Sequence, residues 1–289
     1  MNHNDTVKQS FKNQAEKFAA YHMSKTEYTD YLMKRIGAKG TEHALEVAAG
    51  TCICGRALAP FVKDISCLDL TEEMLAQGKK LARESQIKNI CFQTGNAEKL
   101  PYESEIFDLV VTRLSFHHFA NPEKPFQEMK RVLKKGGKLV VWDMEAAEES
   151  LRTIDDKIEN MRDMSHTRIL SREEFEKLFE KDFELQCEET TLVPVNLNSW
   201  LELTDTPEDV QKEITDLMKA ELAGGSKTGF SPYNKESQIM FDHRWLLLIG
   251  KKIKGNRNKQ EALLQSSCFS QSYNYNSSTI EVIQLWSKG

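Results

Sequence analysis

Between Leu45 and Gly55 the chain reads Leu-Glu-Val-Ala-Ala-Gly-Thr-Cys-Ile-Cys-Gly, and no other stretch restricts its fold as much. A short apolar strand runs into a string of small residues and then into a helix over 56–61. Small residues at such a turn let the backbone pass close to a bound ligand, where a longer side chain would collide. A second apolar strand, over 64–68, is closed by an acid, Asp69. Strand, small-residue turn, helix and a second strand ending in an acid form a nucleotide-binding βαβ pattern.

The pattern continues. Apolar strands are expected at 44–47, 65–68, 90–93, 107–112 and 138–142, separated by helices at 56–61, 71–85 and 123–132. Alternating strands and helices predict an α/β fold with a mostly parallel sheet covered on both faces, and strands that are apolar throughout fit burial on both sides. Gly136-Gly137 is expected to break the chain before the fifth strand. Helices follow at 148–163 and 171–180, the second fixed by a capping box of Ser171 and Glu174, and then a strand at 183–193. A polar helical segment, 196–236, starts a helix at Asp205-Thr-Pro-Glu208, stops it at Gly224-Gly225 and precedes a strong strand at 240–249. An insertion of that kind between two strands is a candidate substrate cap. Ahead of the first strand, helical spacing over 5–37 breaks near Ser24, with Tyr21 and His22 at the break. These helices serve either as a lid over a ligand or as surface helices packed on the core. The expected organisation is a lid (1–40), a ligand-binding core (41–146), the rest of the sheet with its cap (147–251), and a Ser-, Asn-, Gln- and Tyr-rich tail (252–289). Such a tail has too little apolar surface to offset the entropy of ordering.

Composition narrows the function classes. Among 289 residues, 39% are hydrophobic and 29% charged, and a net charge of -5 gives no global basic field for nucleic acid or anionic membranes. The N-terminus lacks an apolar leader, and no apolar run is long enough to cross a bilayer, so a cytoplasmic protein is expected. The six cysteines (52, 54, 67, 91, 187, 268) lack disulfide-scaffold spacing and are expected as reduced thiols. Cys52-Ile-Cys54 is not a Cys-x-x-Cys pair and no partner pair follows, so no metal is expected.

Three features gather where ligands bind open α/β sheets, beyond the carboxyl ends of the strands. Asp69 can accept both hydroxyls of a ribose, or can serve as an acid at the N-terminus of the following helix. Gly95-Asn96-Ala97-Glu98 after the third strand can read an adenine edge, although Asn96 can also simply shape a turn. The run from Phe107 through Arg113 to His117-His118 enters the crevice from the fourth strand. For each histidine a structural role competes with catalysis, and Arg113 can pair with Asp108 or another carboxylate at the sheet end instead of touching a ligand. His166 and Arg168 lie in a polar stretch whose default reading is a solvated face.

At these residues the chain resembles a known family. Glu46-Val-Ala-Ala-Gly50, Cys67-Leu-Asp69, Gly95-Asn-Ala-Glu98-x-Leu-Pro101, Phe107-Asp-Leu-Val-Val111, His117-His118-Phe and Arg131-Val-Leu-Lys-x-Gly-Gly137 are similar, in order, to the motifs of class I S-adenosylmethionine-dependent methyltransferases. The subgroup resembled is that of small bacterial enzymes related to the ubiquinone/menaquinone C-methyltransferases, and the match spans about 42–145. Met161-Arg-Asp-Met-Ser-His166 also resembles an Arg-Asp-Pro-Ser-His stretch of some of them. The resemblance implies a Rossmann-like fold with a seven-stranded sheet and S-adenosylmethionine as cofactor. Glu46, Ala48 and Gly50 would lie at the methionine moiety, Asp69 at the ribose, Asn96 and Ala97 at the adenine, with Leu70 and Met74 packed beside them. Arg113 is counted with this cofactor set. The implied reaction moves a methyl group in line to a small-molecule acceptor, with His118 or His117 placed to take a proton. Trp200, Phe230, Tyr233 and Phe241 either enclose an apolar or aromatic acceptor or form the core of the cap. The family's Gly-x-Gly-x-Gly turn would put glycines at Ala48, Gly50 and Cys52, and only Gly50 is one. Thr51 and Cys52 are therefore expected to narrow the pocket or to shift the backbone. A fold kept as a non-catalytic binding module is the alternative.

Overall fold

The computed structural model describes residues 2–20 and 26–253. Tyr21, His22 and Cys268, and the tail beyond Ile253, lie outside the described residues. Strands β1 (His43–Val47), β2 (Asp64–Asp69), β3 (Ile90–Thr94), β4 (Phe107–Arg113) and β5 (Leu133–Met144) form a parallel sheet. Two long strands, β6 (Phe183–Asn196) and β8 (Gln238–Lys252), extend it in the order β3-β2-β1-β4-β5-β8-β6, with β8 antiparallel to both neighbours. This is the expected α/β sheet of seven strands, joined by one more short strand, β7 (Tyr233–Lys235), in a hairpin with β8. Glu236 and Ser237 at its tip both have positive φ, 50° and 64°, the backbone of a two-residue turn whose twist matches a hairpin.

Strand order reverses between β1 and β4. Chain leaving β1 crosses toward β2, and chain leaving β4 crosses toward β5, so a crevice opens beyond the carboxyl ends of these two strands. Two apolar layers fill the faces. Ala44, Val111, Trp142 and Trp245 pack with Leu32, Ile36 and Leu58 from helices α2 (Thr26–Ile36) and α3 (Ile53–Leu58). Leu45, Val47, Val110 and Val141 pack with Phe126, Phe175 and Phe179 from α5 (Glu123–Val132) and α7 (Arg172–Glu180). Alternate residues of one strand thus serve opposite faces, as the two-residue period requires.

Three details differ from expectation. The Gly136-Gly137 pair does not break the fifth strand; β5 begins at Leu133, and Lys134–Gly137 bulge within it where its register against β4 shifts. Gly136 takes φ 79°, and a Cβ on Gly137 would lie 2.9 Å from the Asp108 carbonyl oxygen, so the glycines permit a tight bulge. The helix expected at 56–61 starts earlier, at Ile53, and ends in a 3-10 turn over Ala59–Phe61. The helix expected at 148–163 is shorter, α6 (Arg152–Arg162). The capping box is present: the Ser171 side chain accepts from Glu174 N and Glu174 accepts from Ser171 N.

The segment before β8 folds as α8 (Leu197–Leu203) and α9 (Glu208–Leu222), which with α6 bury a third cluster around Trp200, Phe230 and Phe241. Those three rings stack edge to face at 5.0–5.5 Å, so they form the core of the cap. Helix α1 (His3–Ala20) bridges this cap and α4 (Glu72–Glu84). Gln14 donates to the Thr204 carbonyl and Lys17 to the Glu202 carbonyl, while Lys12 pairs with Glu73.

Near the C-terminal end of β8, Gly250 faces Phe179, and an added Cβ would lie 2.6 Å from the ring. Gly250→Ala is therefore expected to destabilise the fold by about 1–3 kcal/mol through overpacking, measured by urea denaturation.

Candidate functional site

The turn after β1 holds three residues in the left-handed region at alternate positions: Ala48 (φ 52°), Gly50 (φ 52°) and Cys52 (φ 57°). These are the three places where the Gly-x-Gly-x-Gly pattern would put glycine. All three thus take the conformation that glycine adopts most readily, although two of them carry a Cβ, at a cost of about 1–2 kcal/mol for each.

Two buried carboxylates hold the turn. Glu46, at the end of β1, accepts from Cys54 N at 3.2 Å and Gly55 N at 2.7 Å, so it binds the first turn of α3 from below. The Cys67 thiol lies 3.5 Å from the same carboxylate. Burial pushes the Glu46 carboxyl up to about 7, against the pull of these hydrogen bonds. Asp69 accepts from Gly50 N at 2.7 Å through one oxygen and from Thr71 N at 2.8 Å through the other. It therefore stands at the N-terminus of α4 and pins the middle of the turn as well. Burial raises its pKa too. Each carboxylate oxygen has two lone-pair sites, so the Asp69 carboxylate is able to accept from more donors than these two amides.

The Cys52 side chain does not enter the crevice. It is fully buried against α4 at Gly78, where an added Cβ would lie 2.7 Å from Sγ of Cys52. A glycine inside a helix costs about 1 kcal/mol relative to alanine, and here it makes room for the residue that replaces the third turn glycine. Thr51 is buried as well, and its carbonyl accepts from Arg56 Nε. Glu46, Cys52 and Cys67 bring three potential ligand atoms within 4.8 Å of one another, a grouping that the sequence spacing does not reveal.

Around this turn, Met74 is buried on α4 with its methyl group 3.1 Å from where a Gly50 Cβ would be, and Leu70 is half-buried between Asp69 and α4. Asn96 accepts from Glu98 N at 2.8 Å through its side chain and so shapes the turn after β3; Ala97 beside it is buried. Arg113 lies elsewhere than beside Asp108, which pairs with Lys134. Its guanidinium covers the rings of Trp142 and Trp245, at 5.5 and 4.9 Å, and Tyr31 and Tyr28 of α2 pack against the same two rings.

Beyond β4 the chain turns through Phe116–His118, and Asp143 at the end of β5 organises that turn. One Asp143 oxygen accepts from Ser115 N and Phe116 N; the other lies 2.7 Å from His117 Nδ1. Burial alone would lower the His117 pKa, but Asp143 outweighs it and holds the imidazole above its ordinary value. His118 behaves in the opposite way. Burial and the adjacent His117 ring, 4.1 Å away, push it down to about 3, and its Nδ1–H donates to the Ser165 carbonyl. His3 Nε2 of α1 donates to the His118 carbonyl at 2.7 Å, and Phe11 packs edge-on to its ring. His166 is not on a solvated face: it is buried, 3.1 Å from Asp156. Arg168, by contrast, is largely exposed and pairs with Glu174. Sequence reasoning missed Asp143 and Gly78. An acid at the carboxyl end of an apolar strand was the available signal for the first, and a lone glycine inside a helix for the second.

Comparison with known proteins agrees with this geometry. A family model described as a methyltransferase domain matches residues 45–141. The Bacillus subtilis methyltransferase YcgJ, itself uncharacterized, is 30% identical over 185 residues, covering 63% of this chain and 73% of YcgJ. The YcgJ crystal structure superposes with a TM-score of 0.72, spanning 81% of this chain and all of YcgJ, at 27% identity. The demethylmenaquinone methyltransferase of Alkalihalophilus pseudofirmus is 35% identical over 111 residues, 37% of this chain and 47% of that enzyme. The chain belongs to the class I S-adenosylmethionine-dependent methyltransferases.

Two measurements check the local account. Gly78→Ala is expected to cost about 1–3 kcal/mol in the parent chain and less when combined with Cys52→Gly, as a double-mutant cycle in urea would show. Asp155 on α6 is buried, and burial together with Glu159 and Asp156 pushes its carboxyl up from 3.8 to about 8. The unfolded chain ionises this acid first, so Asp155 withdraws stability as pH rises from about 4 to 8. The stability of Asp155→Asn relative to the parent is expected to rise across that window and to level off on either side.

Proposed function

We propose that this protein transfers a methyl group from S-adenosylmethionine to a small-molecule acceptor. The observation that carries the reading is the alternating left-handed turn at Ala48, Gly50 and Cys52, braced by Asp69 at the switch point of the sheet. The residues fit the cofactor: the turn keeps the glycine backbone, Cys52 is turned away into Gly78, and Asp69 retains acceptor sites for ribose hydroxyls. Glu46, Ala48 and Gly50 would hold the methionine end, Asn96, Ala97, Leu70 and Met74 the adenosine. Arg113, stacked on its two tryptophans, would set the wall of the crevice beyond β4.

When bound, the cofactor supplies a methyl group already activated by a sulfonium, so the protein's task is placement and exclusion of water. The carboxylates of Glu46 and Asp69 fix the turn, α1 covers the crevice from α4 to the cap, and His117 or His118 takes any proton that the acceptor must lose. Helices α1 and α2 act as a lid over the core of 41–146, and α8 and α9 within 196–236 cap the acceptor. Because the cap aromatics pack on one another, acceptor contacts would fall to the 115–119 turn, α1 and the 163–168 stretch. Support for a small acceptor comes from the acidic chain and from relatives named for quinone-type substrates. Among the described residues no helix is long and apolar enough to cross a membrane, and a cytoplasmic location with neither nucleic acid nor membrane as partner is part of the proposal. A fold kept only for binding is the alternative, and the positive φ at Ala48, Gly50 and Cys52, the conformation glycine favours, speaks against it.

Calorimetric titration with S-adenosylmethionine and S-adenosylhomocysteine, with NAD as control, tests the reading. Micromolar binding of the first two is expected, weakened about 10- to 100-fold in Asp69→Asn, which keeps one acceptor for the turn. A folded protein that binds neither would contradict it.

A further inference from the structure

The buried pair behind the 115–118 turn goes beyond a structural brace. We propose that Asp143 positions His117 as the proton acceptor of the reaction, so that the methyl acceptor is a group that must lose a proton: a phenolic or enolic hydroxyl, or a carbon acid. This rests on the methyl-transfer reading above.

The geometry supports it in three ways. His117 Nδ1 is 2.7 Å from an Asp143 oxygen, and a carboxylate only accepts, so Nδ1 carries the proton and Nε2 the lone pair of the neutral ring. Asp143 itself is fixed: besides His117 it accepts from Ser115 N, Phe116 N and Met144 N. The His117 carbonyl is held by both the amide and the hydroxyl of Thr167, at 2.8 Å each. The residue is therefore held at its ring by Asp143 and at its backbone by Thr167. Its side chain keeps 11% exposure, and no group among the described residues occupies Nε2, which is not among the sealed, unpartnered atoms. The turn sits at the carboxyl end of β4, on the edge of the crevice.

His118 is unsuited to the same task. Its neighbour crowds it, and charging it beside a charged His117 is costly. The other groups facing His117 are Glu159 of α6 and Asp163 and His166 of the 163–168 stretch; the two acids favour its charged form along with Asp143. In the transfer, the acceptor's O–H or C–H proton passes to His117 Nε2 and the freed electron pair forms the new bond to the methyl carbon. The S–CH₃ bond breaks with its pair left on sulfur, giving a thioether, and Asp143 balances the new imidazolium charge. A neutral amine acceptor would attack with its own lone pair and lose its proton only after the transfer, so it calls less on a base in the transfer step.

Nitrogen NMR of histidine-labelled full-length protein, with His117→Gln for assignment, reads the dyad without any ligand. The expected result is a neutral His117 protonated on Nδ1, with a titration midpoint above about 6.5 that falls below that value in Asp143→Asn. An Nε2-protonated neutral ring, or a midpoint already below 6.5 in the parent chain, overturns the proposal; both are read in the parent even if Asp143→Asn fails to fold. For the acceptor, protein shown by calorimetry to bind S-adenosylmethionine is offered phenols and 1,3-dicarbonyl compounds in one panel, amines in another. Turnover of the first, reduced about 10²- to 10⁴-fold in His117→Gln and with an Asp143→Asn pH profile moved to lower pH, is expected. Turnover of amines alone, or none of the first panel, overturns the acceptor class. Failure to bind the cofactor would count against the methyl-transfer reading itself and leave the NMR result standing.

Discussion

Two buried carboxylates gather the backbone of one turn, and the rest of the molecule depends on that arrangement. Glu46 takes the amides of Cys54 and Gly55, and Asp69 takes those of Gly50 and Thr71. The first joins β1 to the start of α3, the second joins the turn to the start of α4. Both acids are out of water, where their charge is costly, and each offsets part of that cost with backbone donors that would otherwise be buried without partners. Exchanging Glu46 would loosen the start of α3, and exchanging Asp69 would loosen the turn and the start of α4 together. The left-handed residues at 48, 50 and 52 are tolerated within this frame because the frame over-determines them.

Most of the architecture was legible before any coordinate. Parallel strands buried on both faces must be apolar throughout, and those runs are unmistakable at Leu45, Ile65, Val110 and Leu139. The Ser171–Glu174 box is local chemistry and was readable for the same reason. Local signals failed where the answer lay in a tertiary contact. The Gly136-Gly137 pair reads as a breaker, but its meaning is set by the Asp108 carbonyl across the strand, which turns a break into a bulge. Cys52 looked like an obstruction because its partner, Gly78, is remote in sequence and sits on the next helix. His166 sits in a polar stretch and is nevertheless buried, because Asp156 on α6 provides a partner for it. The roles given to the cofactor and catalytic residues rest on the family resemblance, because they depend on a ligand that joins separate strand ends.

The second constraint lies at the opposite wall of the crevice. Asp143 repeats for the 115–118 turn what Asp69 does for the first turn, gathering amides and adding a histidine. Helix α1 ties the two walls together. It reaches His118 through His3 and Phe11, the 163–168 stretch through Ser10 and Asp163, the cap through Gln14, and α4 through Lys12. Placement of the helix and order in the histidine turn are consequently linked, since moving α1 would remove the His118 carbonyl's donor and one of Asp163's.

On the reading proposed here, the turn of residues 48–52 is a glycine-type cofactor cradle with only one glycine in it. A crystal structure of the complex with S-adenosylhomocysteine tests this most directly. The account predicts both ribose hydroxyls on the Asp69 carboxylate, positive φ at Ala48 and Cys52, and Cys52 still packed on Gly78. An adenosyl group bound away from Asp69, or a turn rebuilt to admit it, would contradict the account.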